Sequence, residues 1–154
     1  MQRRLLTGLL TAAALCSCQP AVKGAGVTAD VTVASSVKAD CVSVTAASQG
    51  GAPLESKRLK RKSELFFAIA EGMGLSGTIE VTANGWLGAC DETATLNAQT
   101  APSSVTFVEG SATPAVELRL KAALDDADMD GYRAQAKGGL DCDDTSAAVH
   151  PGAT

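Results

Sequence analysis

Between residues 27 and 122 the apolar positions recur mostly at every second residue, in short runs separated by Gly, Pro, Asn and Asp, a pattern of half-buried strands. Val27, Ala29, Val31 and Val33 share one face of a first strand, and Cys41 to Thr45 form a second. Leu65 to Ala70, Thr78 to Ala83, Ser104 to Val108 and Ala115 to Leu120 supply four more. In the last of these, Val116, Leu118 and Leu120 are expected to face inward and Glu117, Arg119 and Lys121 to face water, because successive strand side chains point to opposite faces. Short strands at this spacing predict an all-β fold, an immunoglobulin-like antiparallel β-sandwich over 27–122. Trp86, in Asn84-Gly85-Trp86-Leu87-Gly88, is the natural core plug of such a layer pair.

The pattern is different at the amino terminus. Arg3 and Arg4 precede an apolar run from Leu5 to Leu15, too short to cross a bilayer as a helix but suited to a secretion signal. Leu15-Cys16-Ser17-Cys18 resembles a bacterial lipobox, with Leu three places before the modified cysteine and small Ser just before it. The resemblance implies that residues 1–17 are removed, that Cys18 becomes the lipidated first residue, and that the membrane is a partner through this anchor. Gln19 after Cys18 is similar to the sorting pattern of outer-membrane lipoproteins, which implies an outer-membrane or cell-surface location. Residues 18–26, built from Gln, Pro, Ala, Lys and Gly, read as a flexible tether.

Loss of residues 1–17 removes two arginines and leaves 11 basic against 17 acidic side chains, a balance that argues against nucleic acid as a partner. The aromatic content of 3% gives little support to stacking on carbohydrate. Within this acidic chain, Lys57-Arg58-Leu59-Lys60-Arg61-Lys62 is a dense basic run. It suits contact with anionic headgroups, a surface polysaccharide or a protein, but protection of an exposed strand edge is the favoured reading. Three cysteines remain beside Cys18, and in an oxidising envelope a pair is expected. Cys41 with Cys90 is the first choice, bridging the two sheets, and Cys90 with Cys142 stays open.

The closing segment, residues 123–154, carries the chemistry. Asp126, Asp128 and Asp130 alternate ahead of Gly131, so that a curling loop aims three carboxylates at one point while the glycine closes the turn and Tyr132 offers its carbonyl. Twelve positions into an EF-hand loop a bidentate Glu is required, but Lys137 stands there. Asp141, Asp143 and Asp144, reached through Gly138 and Gly139, are the replacement carboxylates. Hard oxygens in this number point to calcium, with Cys142 too soft a ligand to join them. Without a cation so many carboxylates repel, so the segment is expected to be loose when metal-free and compact when loaded.

The blocks Asp126-to-Tyr132, Asp141-Cys142-Asp143-Asp144 and Pro151-Gly152-Ala153 resemble the metal-binding motif of the MopE type, in a single copy that covers about the last fifth of the chain. Met129 stands where that motif commonly has glycine, the spacer from Arg133 to Leu140 lacks a cysteine often present there, and no glutamate follows Ala153. The resemblance also brings copper as the alternative metal, with His150, Trp86 and Met129 as soft partners. Catalysis has little to stand on: His150 is the one histidine, and no nucleophile and base are placed together by spacing. The expectation is an envelope-anchored lipoprotein with a calcium-binding loop and a structural or adhesive role rather than an enzyme; surface capture of copper or another transition metal is the alternative.

Overall fold

The structure, a computed structural model, describes residues 25–109 and 113–153; the expected signal sequence, Cys18 and most of the expected tether lie outside the described residues. Among the described residues nine strands carry the fold: β1 (Gly26–Val33), β2 (Cys41–Ser48), β3 (Leu54–Glu55), β4 (Leu59–Lys60), β5 (Glu64–Ala70), β6 (Thr78–Leu87), β7 (Thr95–Gln99), β8 (Ser103–Thr106) and β9 (Ala115–Leu120). They form a three-stranded sheet in the order β5-β1-β9 and a six-stranded sheet built around β2 and β6. The two layers close on one apolar core, so the fold is an all-β sandwich.

The alternation in the sequence sets which side chains enter that core. Val27, Ala29, Val31 and Val33 are buried from β1, Leu65, Phe67 and Ile69 from β5, and Val116, Leu118 and Leu120 from β9. Val42, Val44 and Ala46 of β2 and Ile79, Val81 and Ala83 of β6 close it from the other layer. Glu117 and Arg119 point outward as expected and pair with each other at 3.0 Å. One pairing departs from an all-antiparallel arrangement. β1 runs antiparallel to β5 but parallel to β9, with Val31 opposite Leu118. Its consequence is that the chain enters β1 and leaves β9 at opposite ends of this sheet.

Trp86 is not the core plug. Added bulk on the inner side at Gly85 would meet Ala39 and Ala98 at 3.3 Å, so the core has no space beside β6 there, and the ladder with β7 shifts register between Gly85 and Trp86. The indole lies on the outer face of the six-stranded sheet. Its Nε1 donates to Ser43 Oγ at 2.9 Å, and the Arg58 guanidinium covers the ring at 3.6 Å. The Cys41–Cys90 disulfide forms, which excludes the Cys90–Cys142 alternative and leaves Cys142 free and exposed. It joins the start of β2 to the loop after β6, both belonging to the six-stranded sheet, and therefore does not bridge the two sheets.

The basic run is an edge. Leu59–Lys60 pairs with Cys41 and Val42 of β2, Arg58 is held on Trp86, and Arg61 Nη2 donates to the Ala34 carbonyl at 2.9 Å. Lys57, Lys60 and Lys62 remain exposed along it. A short edge strand flanked by solvated lysines resists pairing with another chain.

Candidate metal centre

The C-terminal module is attached to the sandwich by one buried amide. Asn97, on β7, is 0% exposed. Its Nδ2 donates to the carbonyls of Lys38 at 2.7 Å and Gly131 at 2.9 Å, and its Oδ1 accepts from Arg133 N at 2.7 Å. Both ends of the amide are thereby used on backbone, which fixes Gly131 and Arg133 against the β1–β2 connection. Gly131 has φ 92°, and a Cβ there would fall 2.5 Å from the Ser36 carbonyl, so the turn and the close approach both require glycine. Sequence reading passed over β7 and Asn97. A lone Asn in a short Thr-Leu-Asn-Ala-Gln run gives no periodic signal, because its role is defined by partners 59, 34 and 36 residues away.

Inside the module, the first acidic block folds on itself. Asp126 Oδ2 accepts from Gly131 N at 3.0 Å, Asp128 Oδ1 from Asp130 N at 3.1 Å, and Asp130 Oδ1 from Tyr132 N at 2.7 Å. The second block returns alongside it through a short 3-10 turn, Gln135–Lys137, ended by Gly138 in the left-handed region. Asp141 N then donates to Arg133 O at 3.0 Å and Gln135 N to Asp141 O at 2.6 Å, forming a bridge between Ala134 and Asp141. Asp144 Oδ1 accepts from Ala127 N at 2.8 Å, closing the second block onto the first.

After these bonds, one oxygen of each of four carboxylates has no donor. Asp126 Oδ1, Asp128 Oδ2, Asp130 Oδ2 and Asp141 Oδ2 are buried and unpartnered, and Asp141 as a whole is 1% exposed. A desolvated carboxylate oxygen without a partner costs on the order of several kcal/mol, so four of them within one module point to a cation that matches them. Burial is the main cause that raises the Asp130 pKa above the usual carboxylate value; the charges of Asp128, Asp141 and Asp126 add to it, and the Tyr132 N–H opposes it. Asp126, Asp128 and Asp130 offer ligand atoms within 4.8 Å of one another, as do Asp128, Asp141 and Asp144. This Asp-rich group could hold a metal ion.

One of the expected ligands stands outside both groups. Asp143 is exposed and belongs to neither group; its Oδ1 accepts from Thr145 N and Oγ1 in a local turn. The ring of Tyr132 stacks on His150 with centroids 5.3 Å apart and planes 9° from parallel. His150 is thereby used to fold the Val-His-Pro-Gly turn back onto the acidic loop, and its Nδ1 lies 3.0 Å from the Pro151 carbonyl. Met129 is 88% exposed.

Met129 also carries φ 62°, a backbone conformation that costs a side-chain-bearing residue about 1 kcal/mol relative to glycine. Because its side chain packs on nothing, Met129→Gly is expected to stabilise the loop by about that amount. A rise in the urea midpoint with an unchanged slope would show it; an unchanged or lowered midpoint would not fit.

Compared with protein-family models, with curated proteins and with solved structures, the chain matches none.

Proposed function

We propose that this is an exported, lipid-anchored calcium-binding protein of a bacterial envelope, in which the ion organises the C-terminal module for a structural or adhesive role. The four buried, unpartnered carboxylate oxygens carry the reading. They belong to hard ligands, and hard oxygens around an irregular loop suit calcium better than a transition metal. Copper, the other cargo considered, draws no support from the soft side chains: His150 is stacked on Tyr132, Met129 faces solvent, and Trp86 packs beneath Arg58. Among the described residues no helix is long and apolar enough to cross a membrane. Attachment in this reading is through the lipid on Cys18.

The strand directions give the module a position. A tether ending at Gly26 enters one end of β1, whereas the module is fastened beyond Val33, through Ser36 and Lys38. An eight-residue strand spans roughly 25 Å, so a lipid on Cys18 would leave the calcium module at the far end of the sandwich, facing away from the membrane. Millimolar calcium outside cells is enough for a weak site of this kind, and binding would stiffen the tail against proteolysis.

Limited proteolysis in calcium and in chelator tests this. Calcium is expected to protect the segment after Ala122, and chelator to expose it to cleavage while the sandwich survives. Equal cleavage in both conditions would count against a calcium-ordered module.

A further inference from the structure

We propose that the module holds two divalent cations, in two carboxylate triads that share Asp128. This rests on the calcium reading above and adds a second site to it. Oxygens bound to one calcium at 2.3–2.6 Å lie no more than about 5 Å apart. The carboxylates divide into two groups that satisfy this limit, Asp126 with Asp128 and Asp130, and Asp128 with Asp141 and Asp144, each with its ligand atoms within 4.8 Å of one another. Each group therefore meets the limit for a centre of its own.

The second triad does not depend on the first for its requirement for a cation. Asp141 is 1% exposed, its Oδ1 accepts from Asp143 N at 3.0 Å, and its Oδ2 is buried with no partner. Charge points the same way. Among the described residues no Lys or Arg forms an ion pair with any of these carboxylates; the nearby pair, at 3.3 Å, joins Arg133 to Asp125 instead. One divalent ion among Asp126, Asp128, Asp130, Asp141 and Asp144 leaves a large uncompensated negative charge, which a second largely cancels.

The two centres differ in how their carboxylates are held. Those of the first triad accept from amides of their own loop, whereas the second contains the buried Asp141 and takes Asp144 from across the module, where it accepts from Ala127 N. They are also linked through the chain, since Asp144 Oδ1 holds the amide of Ala127, between Asp126 and Asp128. Filling one centre thus pre-orders ligands of the other.

Native mass spectrometry and calorimetric titration of the full chain in detergent, stripped with chelator and reloaded with calcium, test the proposal. Two calcium ions per chain are expected, taken up in two steps. Asp144→Asn keeps an oxygen for Ala127 N and is expected to lose the ion of the second triad while retaining that of the first. Asp126→Asn is expected to remove the ion of the first triad and leave that of the second. Unchanged circular dichroism of the sandwich in both variants shows that the fold is intact. One ion per wild-type chain, unaffected by Asp144→Asn, overturns the second site and leaves the calcium reading standing; no binding at all overturns both.

Discussion

Asp128→Asn is expected to weaken calcium binding at least tenfold and to remove half or more of the calcium-dependent rise in thermal midpoint. The position is the one that both acidic groups share, and its Oδ2 is among the buried oxygens left without a donor. Asparagine preserves the volume and still offers an oxygen to Asp130 N, so the local turn survives while the charge that attracts the ion is lost. Calcium at about 100 times its dissociation constant would stabilise the loaded chain by about 2.7 kcal/mol, and a tenfold weakening would leave the variant about 1.4 kcal/mol of that increment. In chelator the sign reverses. Removing one of several crowded, unpaired carboxylates relieves repulsion, so the metal-free variant is expected to be as stable as the metal-free parent or more so. Parallel melts in calcium and in chelator check both halves, and a variant destabilised equally in the two conditions would mean that Asp128 acts through packing alone.

Reduction of Cys41–Cys90, or its replacement by Ser at both positions, is expected to cost about 4 kcal/mol, the loop-closure value for a bridge of sequence separation 49. For a domain of this size the loss corresponds to a fall in thermal midpoint of roughly 15 °C. The bridge closes the loop that follows β6 onto the start of β2, on the face where Trp86 and Arg58 stack. Calcium affinity is expected to change little where the chain remains folded, because the module is held from Asn97 and the β1–β2 connection rather than from this loop. A denaturant titration of oxidised and reduced protein checks the stability difference; a change below about 1 kcal/mol would show that the loop is already closed by its other contacts.

How far these features could be read from the residues depended on whether each acts locally. β1, β5 and β9 announce themselves because every second residue is apolar and the opposite face is polar, which is what a half-buried strand requires. The parallel pairing of β1 with β9 left no such mark, since strand partners are chosen in three dimensions and the same alternation serves either direction. Trp86 misled for a related reason. A large aromatic beside a strand suggests a core position, but the inner-facing position is Gly85, where even an added Cβ would meet Ala39 and Ala98 at 3.3 Å, and the indole next to it lies on the outer face. β7 was missed because Asn97 breaks its alternation, and the reason a polar side chain is buried there lies in the distant backbone groups it satisfies.

The acidic module was more legible than the sandwich topology. The spacing Asp126, Asp128, Asp130 before Gly131 is itself the loop geometry, since each carboxylate bonds an amide two to five residues ahead. Asp141 and Asp144 were reachable as a compensating block, but the run Asp141-Cys142-Asp143-Asp144 does not say which of its carboxylates turn inward. Burial decides that. Asp141 is enclosed beside Ala134, Asp144 reaches back to Ala127, and Asp143 is left to hold Thr145. Met129, where glycine would be expected, is tolerated because its side chain faces solvent and only the backbone is strained.

The most direct test of the account is a calorimetric titration of the chelator-treated full chain with calcium and, separately, with copper, read together with the thermal midpoint. Calcium is expected to release or absorb heat with saturation and to raise the midpoint, with both responses lost in the double variant Asp128→Asn, Asp130→Asn. Tight copper binding with no response to calcium would contradict the hard-oxygen site and make metal capture the function to pursue.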